Sequence, residues 1–195
     1  MRPLLHRLVA AGIFVWAVVV CGAVFAYTTH ATTAGTNAAA PTRWPSDAPV
    51  ARDPDRMTLL VLVHPMCPCS RATLRELARI LARTGDRVAT RVVFMRSMKT
   101  RADPRASSLW GEATDIPGVV ASVDDQGALA RTFGAATSGQ TLLYGADGAL
   151  LFAGGITQPG GYEGDNAGRD ALEGLIAGTA HAAPRMSVFG CPLFF

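Results

Sequence analysis

The sequence predicts an α/β domain that follows a single membrane-spanning helix, and three features indicate this fold class. An uncharged, mostly apolar run fills residues 8–29, a β-α-β pattern occupies residues 58–95, and a β-hairpin followed by a helix occupies residues 141–177. With 49% hydrophobic and 17% charged residues, the 195-residue chain can bury a core, which excludes a disordered or fibrous protein. The net charge of +3 is small and forms no basic stripe, so we expect no nucleic-acid partner.

The N-terminal run is long enough to cross a bilayer, because a helix of about 20 apolar residues does so. Arg2 and Arg7 precede the run, and the positive-inside rule then keeps the N-terminus in the cytoplasm. We expect a single-pass protein of a bacterial-type cytoplasmic membrane, with its C-terminal domain on the periplasmic or exoplasmic side. A signal peptide cleaved near the small residues Ala26 or Ala31 is the alternative.

The chain divides by composition into three parts. Residues 1–29 are expected to be the cytoplasmic stub and anchor (or signal peptide), and residues 30–56, rich in Ala, Thr and Pro, a flexible tether. Residues 57–195 form the exported domain with a C-terminal tail. Because an exported domain meets oxidising conditions, its cysteines can form disulfides.

The domain begins with a β-α-β unit. The branched apolar run 58–63 predicts a strand that is buried on both faces. Residues 68–83 predict an amphipathic helix that ends at Gly85. Residues 88–95 predict a second strand, and a crossover of this length makes the two strands parallel.

The remaining elements are shorter. We expect a loop with a short helix around residues 106–113, a strand at 119–123 and a short helix at 127–133. The hairpin pairs residues 141–144 with 149–152 across a Gly-containing turn. The last helix covers residues 166–177, with Asn166 as its N-cap and Gly178 as its stop.

The sharpest motif is His64-Pro-Met-Cys67-Pro-Cys69-Ser70-Arg71, at the point where the first strand turns into the first helix of the domain. A cysteine at a helix N-terminus meets unpaired N–H groups and the positive end of the dipole. These favour the thiolate, which is the nucleophilic form of cysteine. His64 and Arg71 are therefore predicted to tune this thiolate.

The order of strand, Cys-Pro turn, helix, strand, hairpin and helix resembles the thioredoxin-like superfamily. The stretches HPMCPCSRATLREL, TSGQTLLYGADGALLFAGGIT, GDNAG and VFGCPL resemble a smaller group within it, the membrane-anchored RedB-type thioredoxin-like proteins. The resemblance covers residues 57–195. It implies a central mixed sheet flanked by helices, and a thiol–disulfide oxidoreductase that reacts with protein or small-molecule thiols and disulfides.

Two departures from ordinary thioredoxins affect the expected site. The motif reads Cys-x-x-Ser in the usual register, with Cys67 as an exposed nucleophile and Ser70 in place of the resolving cysteine; the other register puts Met66 in the nucleophile's place. Gln140 replaces the usual cis-proline, and since a non-proline cis bond costs about 2.5–4 kcal/mol, we expect a trans peptide there. Gln140 and Thr141 are the predicted substrate-docking residues.

Three cysteines of the exported domain are predicted to take part in exchange. Cys67 attacks, and Cys69 resolves the mixed disulfide. A Cys67–Cys69 bond closes a small strained ring, which makes it oxidising. Cys191 is a further resolving thiol if the C-terminal tail folds back over the site.

Two other classes of function use the same residues differently. Exchange needs no cofactor or metal, but His64, Cys67 and Cys69 are also suitable ligands for copper or zinc, with His181 as a candidate distant ligand. A copper-binding or metallochaperone protein is therefore one alternative. A redox-silent thioredoxin-like interaction domain is the other.

Overall fold

The computed structural model describes residues 2–36, 39–96, 102–180 and 185–194. The chain forms two units, which divide after Thr33. The first unit is helix α1 (Arg2–Thr32). Its segment His6–Thr29 has a mean hydropathy of 2.6 and is long and apolar enough to cross a membrane.

The second unit is built on a five-stranded mixed sheet. Its strands are β1 (Met57–Val63), β2 (Val88–Met95), β3 (Val119–Asp124), β4 (Gln140–Tyr144) and β5 (Leu150–Gly154). They lie in the order β3-β2-β1-β4-β5. β1, β2 and β3 are parallel, whereas β4 runs antiparallel to both β1 and β5. The predicted parallel pair and hairpin are both confirmed.

Within the part of the chain that the structure describes, four α-helices flank the sheet. They are α2 (Pro68–Thr84), α3 (Ser108–Thr114), α4 (Ala128–Thr132) and α5 (Ala167–Ala177). The predicted helix at 68–83 and strand at 88–95 are confirmed almost to the residue. The short predicted helix at 106–113 begins two residues later, because Ser107 accepts a hydrogen bond from the Trp110 N–H and caps α3. Residues 97–101 of the preceding loop lie outside the described residues.

Alternate side chains of the central strand β1 enter two separate cores, as the period of two in a strand requires. Leu59, Val61 and Val63 pack with apolar residues of α2, α3 and α5. Leu60 and Leu62 pack on the other face, with α4 and Leu193 of the C-terminal segment. Each of these fully buried leucines contributes about 1.5–3 kcal/mol, so β1 is fixed from both sides up to the residue before His64.

The segment before β1 packs on the domain, where the sequence predicted a flexible tether over residues 30–56. The Trp44 ring lies edge-on to Phe133 and Tyr144, with ring centroids 4.9 and 5.1 Å apart. Arg43 forms a β-bridge with Ala149. The compact unit therefore begins at Ala34, and of the two surfaces on which Trp44 could dock, the domain or lipid headgroups, the structure shows the domain.

Candidate functional site

The candidate site lies where β1 ends and α2 begins. Cys67 is the N-cap of α2, and Pro68 occupies the first helical turn, where its missing N–H removes no helical hydrogen bond. The Cys67 N–H donates to the His64 carbonyl over 3.1 Å. The Cys67 side chain is 0% exposed, so the prediction of an exposed nucleophile is wrong: residues distant in sequence cover the sulfur.

Both other cysteines of the domain lie against the Cys67 sulfur. The backbone N–H of Cys191 donates to it over 3.3 Å. A hydrogen bond from the Cys69 thiol, followed by bonds from the backbone and thiol of Cys191, lowers the pKa of Cys67 to about 4 against the opposing effect of burial. The same hydrogen bond raises the pKa of Cys69, and burial raises that of Cys191 to about 12. Cys67 is therefore a thiolate at neutral pH, held by two protonated thiols.

The two residues predicted to tune this thiolate are placed differently. His64 is buried, and burial lowers its pKa, so the imidazole is neutral at pH 7; its Nδ1 accepts from the Met66 N–H over 3.2 Å. The guanidinium of Arg71 pairs with Glu112 and donates to the Ser108 hydroxyl. Arg71 is not among the groups that lower the pKa of Cys67. Thiols, rather than cations, thus have the largest part in stabilising the thiolate.

The predicted docking residues are inside the sheet. Gln140 and Thr141 are 2% and 0% exposed, so no substrate touches their side chains in this arrangement. The described residues contain no cis peptide bond, which confirms the trans peptide expected at Gln140.

Ser138 lies beside the site, although the sequence did not predict a role for it. Its hydroxyl oxygen accepts from the His64 N–H over 2.8 Å and lies 2.7 Å from the Ser70 hydroxyl oxygen. Ser70 also donates to the His64 carbonyl. Ser138 therefore joins the start of β4 to the turn that carries Cys67. Its position three residues before the predicted strand 141–144 was the available signal.

A glycine-rich loop covers Cys69. The Cys69 sulfur lies 3.7 Å from the Gly160 carbonyl oxygen. Gly161 has a φ of +70°, and a Cβ on it would lie 2.4 Å from the Cys69 sulfur, so only glycine fits against this side chain. The loop is held to α2 by the buried carboxylate of Glu76, which accepts from the Gly164 N–H.

The C-terminal tail, residues 186–194, covers Cys67. It hydrogen bonds to the segment Ala136–Ser138, which precedes β4, and it places Cys191 over the site. The predicted approach of Cys191 to Cys67 thus occurs in the structure.

No group of three His, Cys, Asp or Glu side chains with the geometry of a metal site occurs among residues 2–36, 39–96, 102–180 and 185–194. His64, Cys67 and Cys69 do not converge in that way. His181, the candidate distant ligand, lies outside the described residues.

No protein-family model and no curated protein matches the chain. Among solved structures, an uncharacterized conserved protein from Geobacillus kaustophilus aligns at 18% identity over 84% of this chain and 93% of its own, with a TM-score of 0.59. A hypothetical protein from Sinorhizobium meliloti aligns at 18% identity over 83% and 93%, with a TM-score of 0.55. A secreted Mycobacterium tuberculosis disulfide oxidoreductase aligns at 18% identity over 63% and 81%, with a TM-score of 0.47.

Likenesses at this identity bear on the fold alone. The mixed sheet β3-β2-β1-β4-β5, flanked by helices and with α2 directly after the central strand, is the architecture that the sequence resemblance implied. The domain has a thioredoxin-like fold. In this thioredoxin-like domain the cysteine pair has a single residue between its members, and a third cysteine reaches it from the C-terminal tail.

Proposed function

We propose that the protein is a membrane-anchored thioredoxin-like thiol–disulfide oxidoreductase in which Cys67 is the attacking thiolate. The observation that carries this proposal is the Cys67 sulfur at the start of α2, which accepts a hydrogen bond from the Cys191 N–H over 3.3 Å and whose pKa is lowered to about 4. A cysteine whose pKa lies well below neutrality is nucleophilic at physiological pH. The short motifs that resemble RedB-type proteins agree with a redox role for the same residues.

The exchange step follows from this geometry. The Cys67 thiolate attacks one sulfur of a partner disulfide, a Cys67–partner bond forms, and the other partner sulfur leaves as a thiolate that takes a proton from solvent. A second cysteine then attacks the Cys67 sulfur and releases the remaining partner thiol. The partner gains two electrons and the protein loses two; the reverse sequence oxidises a partner dithiol.

The proposed location is the exoplasmic side of the membrane. Arg2 and Arg7 lie at the N-terminal end of α1, whose segment His6–Thr29 is long and apolar enough to span the bilayer, and positive charges stay on the cytoplasmic side. Partners there are proteins or small molecules that contain thiols and disulfides.

A redox titration tests the proposal. The full chain, in detergent micelles and free of metal, is equilibrated in glutathione redox buffers, and disulfides are located by mass spectrometry. We expect a reversible two-electron transition that includes Cys67 and is lost in Cys67→Ser. Cys21→Ser, which removes the α1 cysteine, is the matched control and should titrate like the wild type.

Two results would contradict the proposal. The first is a full transition in Cys67→Ser, which would move the nucleophile elsewhere. The second is the absence of any reversible couple, together with thiols that retain Cu(I) or Zn(II) through dialysis and lose it in Cys69→Ser; this result would favour the metal-binding alternative.

A further inference from the structure

The C-terminal tail lies on the domain as an extended peptide beside the reactive sulfur. The Ser138 N–H donates to the Cys191 carbonyl, and the Leu193 N–H donates to the Ala136 carbonyl, both over 2.8 Å. Thr137 and Pro192 form an antiparallel bridge between these two bonds. The tail thus pairs with Ala136–Ser138 as one short strand pairs with another.

The close approach of the two backbones depends on Gly190. A Cβ on this residue would lie 2.1 Å from the Ser138 carbonyl oxygen, far inside van der Waals contact. Because Gly190 directly precedes Cys191, this close backbone contact determines how near Cys191 lies to the site.

Apolar side chains hold the tail on both sides of Cys191. Val188 and Leu193 are buried at 1% and 2% exposure, and the Val188 carbonyl accepts from the Gly35 N–H over 2.8 Å. The guanidinium of Arg131 lies 5.4 Å from the Phe194 ring. The tail is therefore a docked element of the fold with Cys191 at its centre.

The docked tail closes the route to the nucleophile. Cys67 is 0% exposed, and the tail occupies the backbone groups of Ala136–Ser138 next to it. A partner disulfide has to reach the Cys67 sulfur in line with the bond that breaks, so the tail has to leave before the partner enters. Once the tail has left, an extended peptide segment that carries the partner's cysteine can pair with the same backbone groups of Ala136–Ser138.

Cys69 is held in a different way. Its sulfur lies 3.7 Å from the Gly160 carbonyl oxygen, and the backbone of Gly161 packs against its Cβ. To form a disulfide with Cys67, Cys69 must break its contact with this loop. The disulfide would also close a strained ring, because only one residue separates the two cysteines. Cys191 approaches the same sulfur from a separate segment, without that ring.

We propose that the C-terminal tail is a built-in occupant of the partner-binding segment Ala136–Ser138, and that its return after partner binding brings Cys191 to resolve the mixed disulfide on Cys67. Cys191 loses its proton to the departing partner thiolate, its sulfur bonds to the Cys67 sulfur, and the Cys67–partner bond breaks. The product is a Cys67–Cys191 disulfide and a reduced partner. Cys69 acts only in the reduced protein, as the hydrogen-bond donor that favours the Cys67 thiolate. This inference rests on the proposed function, because it assigns the second step of that exchange.

A quench experiment with glutathione disulfide tests the resolving step in the full chain in detergent. The reduced protein is mixed with the reagent, quenched with acid at successive times and mapped by mass spectrometry. We expect Cys67–Cys191 in the wild type and in Cys69→Ser, and a stable Cys67–glutathione adduct in Cys191→Ser. A Cys67–Cys69 disulfide in the wild type with Cys191 unmodified would overturn the inference and leave the proposed function standing. No adduct on Cys67 in any variant would overturn both.

The gating step is tested by alkylation of Cys67 with iodoacetamide in Cys191→Ser, where the tail carries no competing thiol. Adding Gly190→Ala displaces the tail, and we expect Cys67 to react about tenfold faster, the effect of weakening two backbone hydrogen bonds. Gly111→Ala in α3, where a Cβ meets open space, is the matched control and should leave the rate unchanged. Equal rates in the two glycine variants would show that the tail does not gate the site.

Discussion

The charge of a single sulfur dominates the chemistry of this domain. The thiols of Cys69 and Cys191 and the N–H of Cys191 surround Cys67, and no arginine is needed to hold the thiolate. Hydrogen bonds to an ionised group favour its charged form and lower its pKa. The consequence is an ionised sulfur in a buried position.

This ionisation predicts the pH at which the Cys67 thiolate of the reduced protein becomes protonated. We expect the ultraviolet absorbance of the thiolate to persist as the pH falls from 7 and to disappear near pH 4, since the pKa of Cys67 lies at about 4. The signal should be absent in Cys67→Ser at neutral pH. In Cys69→Ala it should disappear at a higher pH, because the largest stabilising hydrogen bond is lost. Titration of the wild type near the ordinary thiol value of 9.0 would contradict the prediction.

The same shift makes stability depend on pH with a definite sign. Between about pH 4 and the ordinary value of 9.0, the unfolded chain binds a proton on Cys67 that the folded chain does not. Stability from this group therefore rises with pH across that window, by at most about 1.4 kcal/mol per pH unit, and is lost as the pH falls towards 4. Above pH 9 the raised pKa of Cys191 acts in the opposite direction, because the folded chain then keeps a proton that the unfolded chain releases.

Urea unfolding at pH 5, 7 and 9 under reducing conditions checks this sign. The difference in the free energy of unfolding between wild type and Cys67→Ser should shift in favour of the wild type from pH 5 to pH 9. A difference that stays constant with pH would mean that Cys67 is protonated in the folded protein.

At the scale of elements, one buried ion pair joins α2, α5 and the glycine-rich loop. Glu76 of α2 is fully buried, and its carboxylate accepts from Arg169 of α5 over 3.2 Å and from the Gly164 N–H over 2.8 Å. Because α2 also carries Cys69 and its loop contact, this carboxylate helps to fix the surroundings of the site.

Removing the arginine should be costly. Arg169→Met removes one of the two guanidinium groups that pair with the buried Glu76 carboxylate, the other being that of Arg79, and we expect a loss of about 1.5–3 kcal/mol in the free energy of unfolding. Arg83→Met, which removes an exposed cation paired with Glu173, is the matched control and should cost about 0–1 kcal/mol. Equal losses in urea unfolding would show that Glu76 does not depend on Arg169.

Elements with a strong local period could be predicted from sequence, and long-range contacts could not. The apolar face of α2 and the branched run of β1 each repeat within a few residues, so their bounds were nearly correct. The burial of Gln140 and Thr141 depends on what packs against the two faces of the sheet at β4, which no local pattern contains. The approaches of Ser138 and Cys191 to the site span 68 and 124 residues, and they depend on the complete fold.

At the scale of the whole molecule, the folded domain extends further towards the N-terminus than its first strand, β1, indicates. Trp44 packs on Phe133 and Tyr144, and the Pro41 carbonyl accepts from the Tyr144 hydroxyl. Residues that lie before the first strand therefore complete the core on the α4 face of the sheet.

Loss of this packing should weaken the domain. Trp44→Ala removes two edge-on ring contacts, each worth about 0.5–1.5 kcal/mol, so we expect the free energy of unfolding to fall by about 1–3 kcal/mol. Urea unfolding followed by circular dichroism in detergent measures it, and Trp16→Ala in α1 is the matched control. A domain that is as stable in Trp44→Ala as in Trp16→Ala would mean that the segment does not support the core.

Three amide hydrogens that are distant in sequence take part in the backbone hydrogen bonds of the C-terminal tail. Gly35 and Ser138 donate their N–H groups to the tail, and Leu193 donates its own to Ala136. Amides that open together exchange with deuterated solvent at a shared opening free energy. The amides of Gly35, Ser138 and Leu193 should therefore exchange as one unit. Their protection from exchange should fall when the tail leaves the domain and rise when Cys191 is bonded to Cys67. Hydrogen exchange of the backbone then reports the redox state of the Cys67 sulfur.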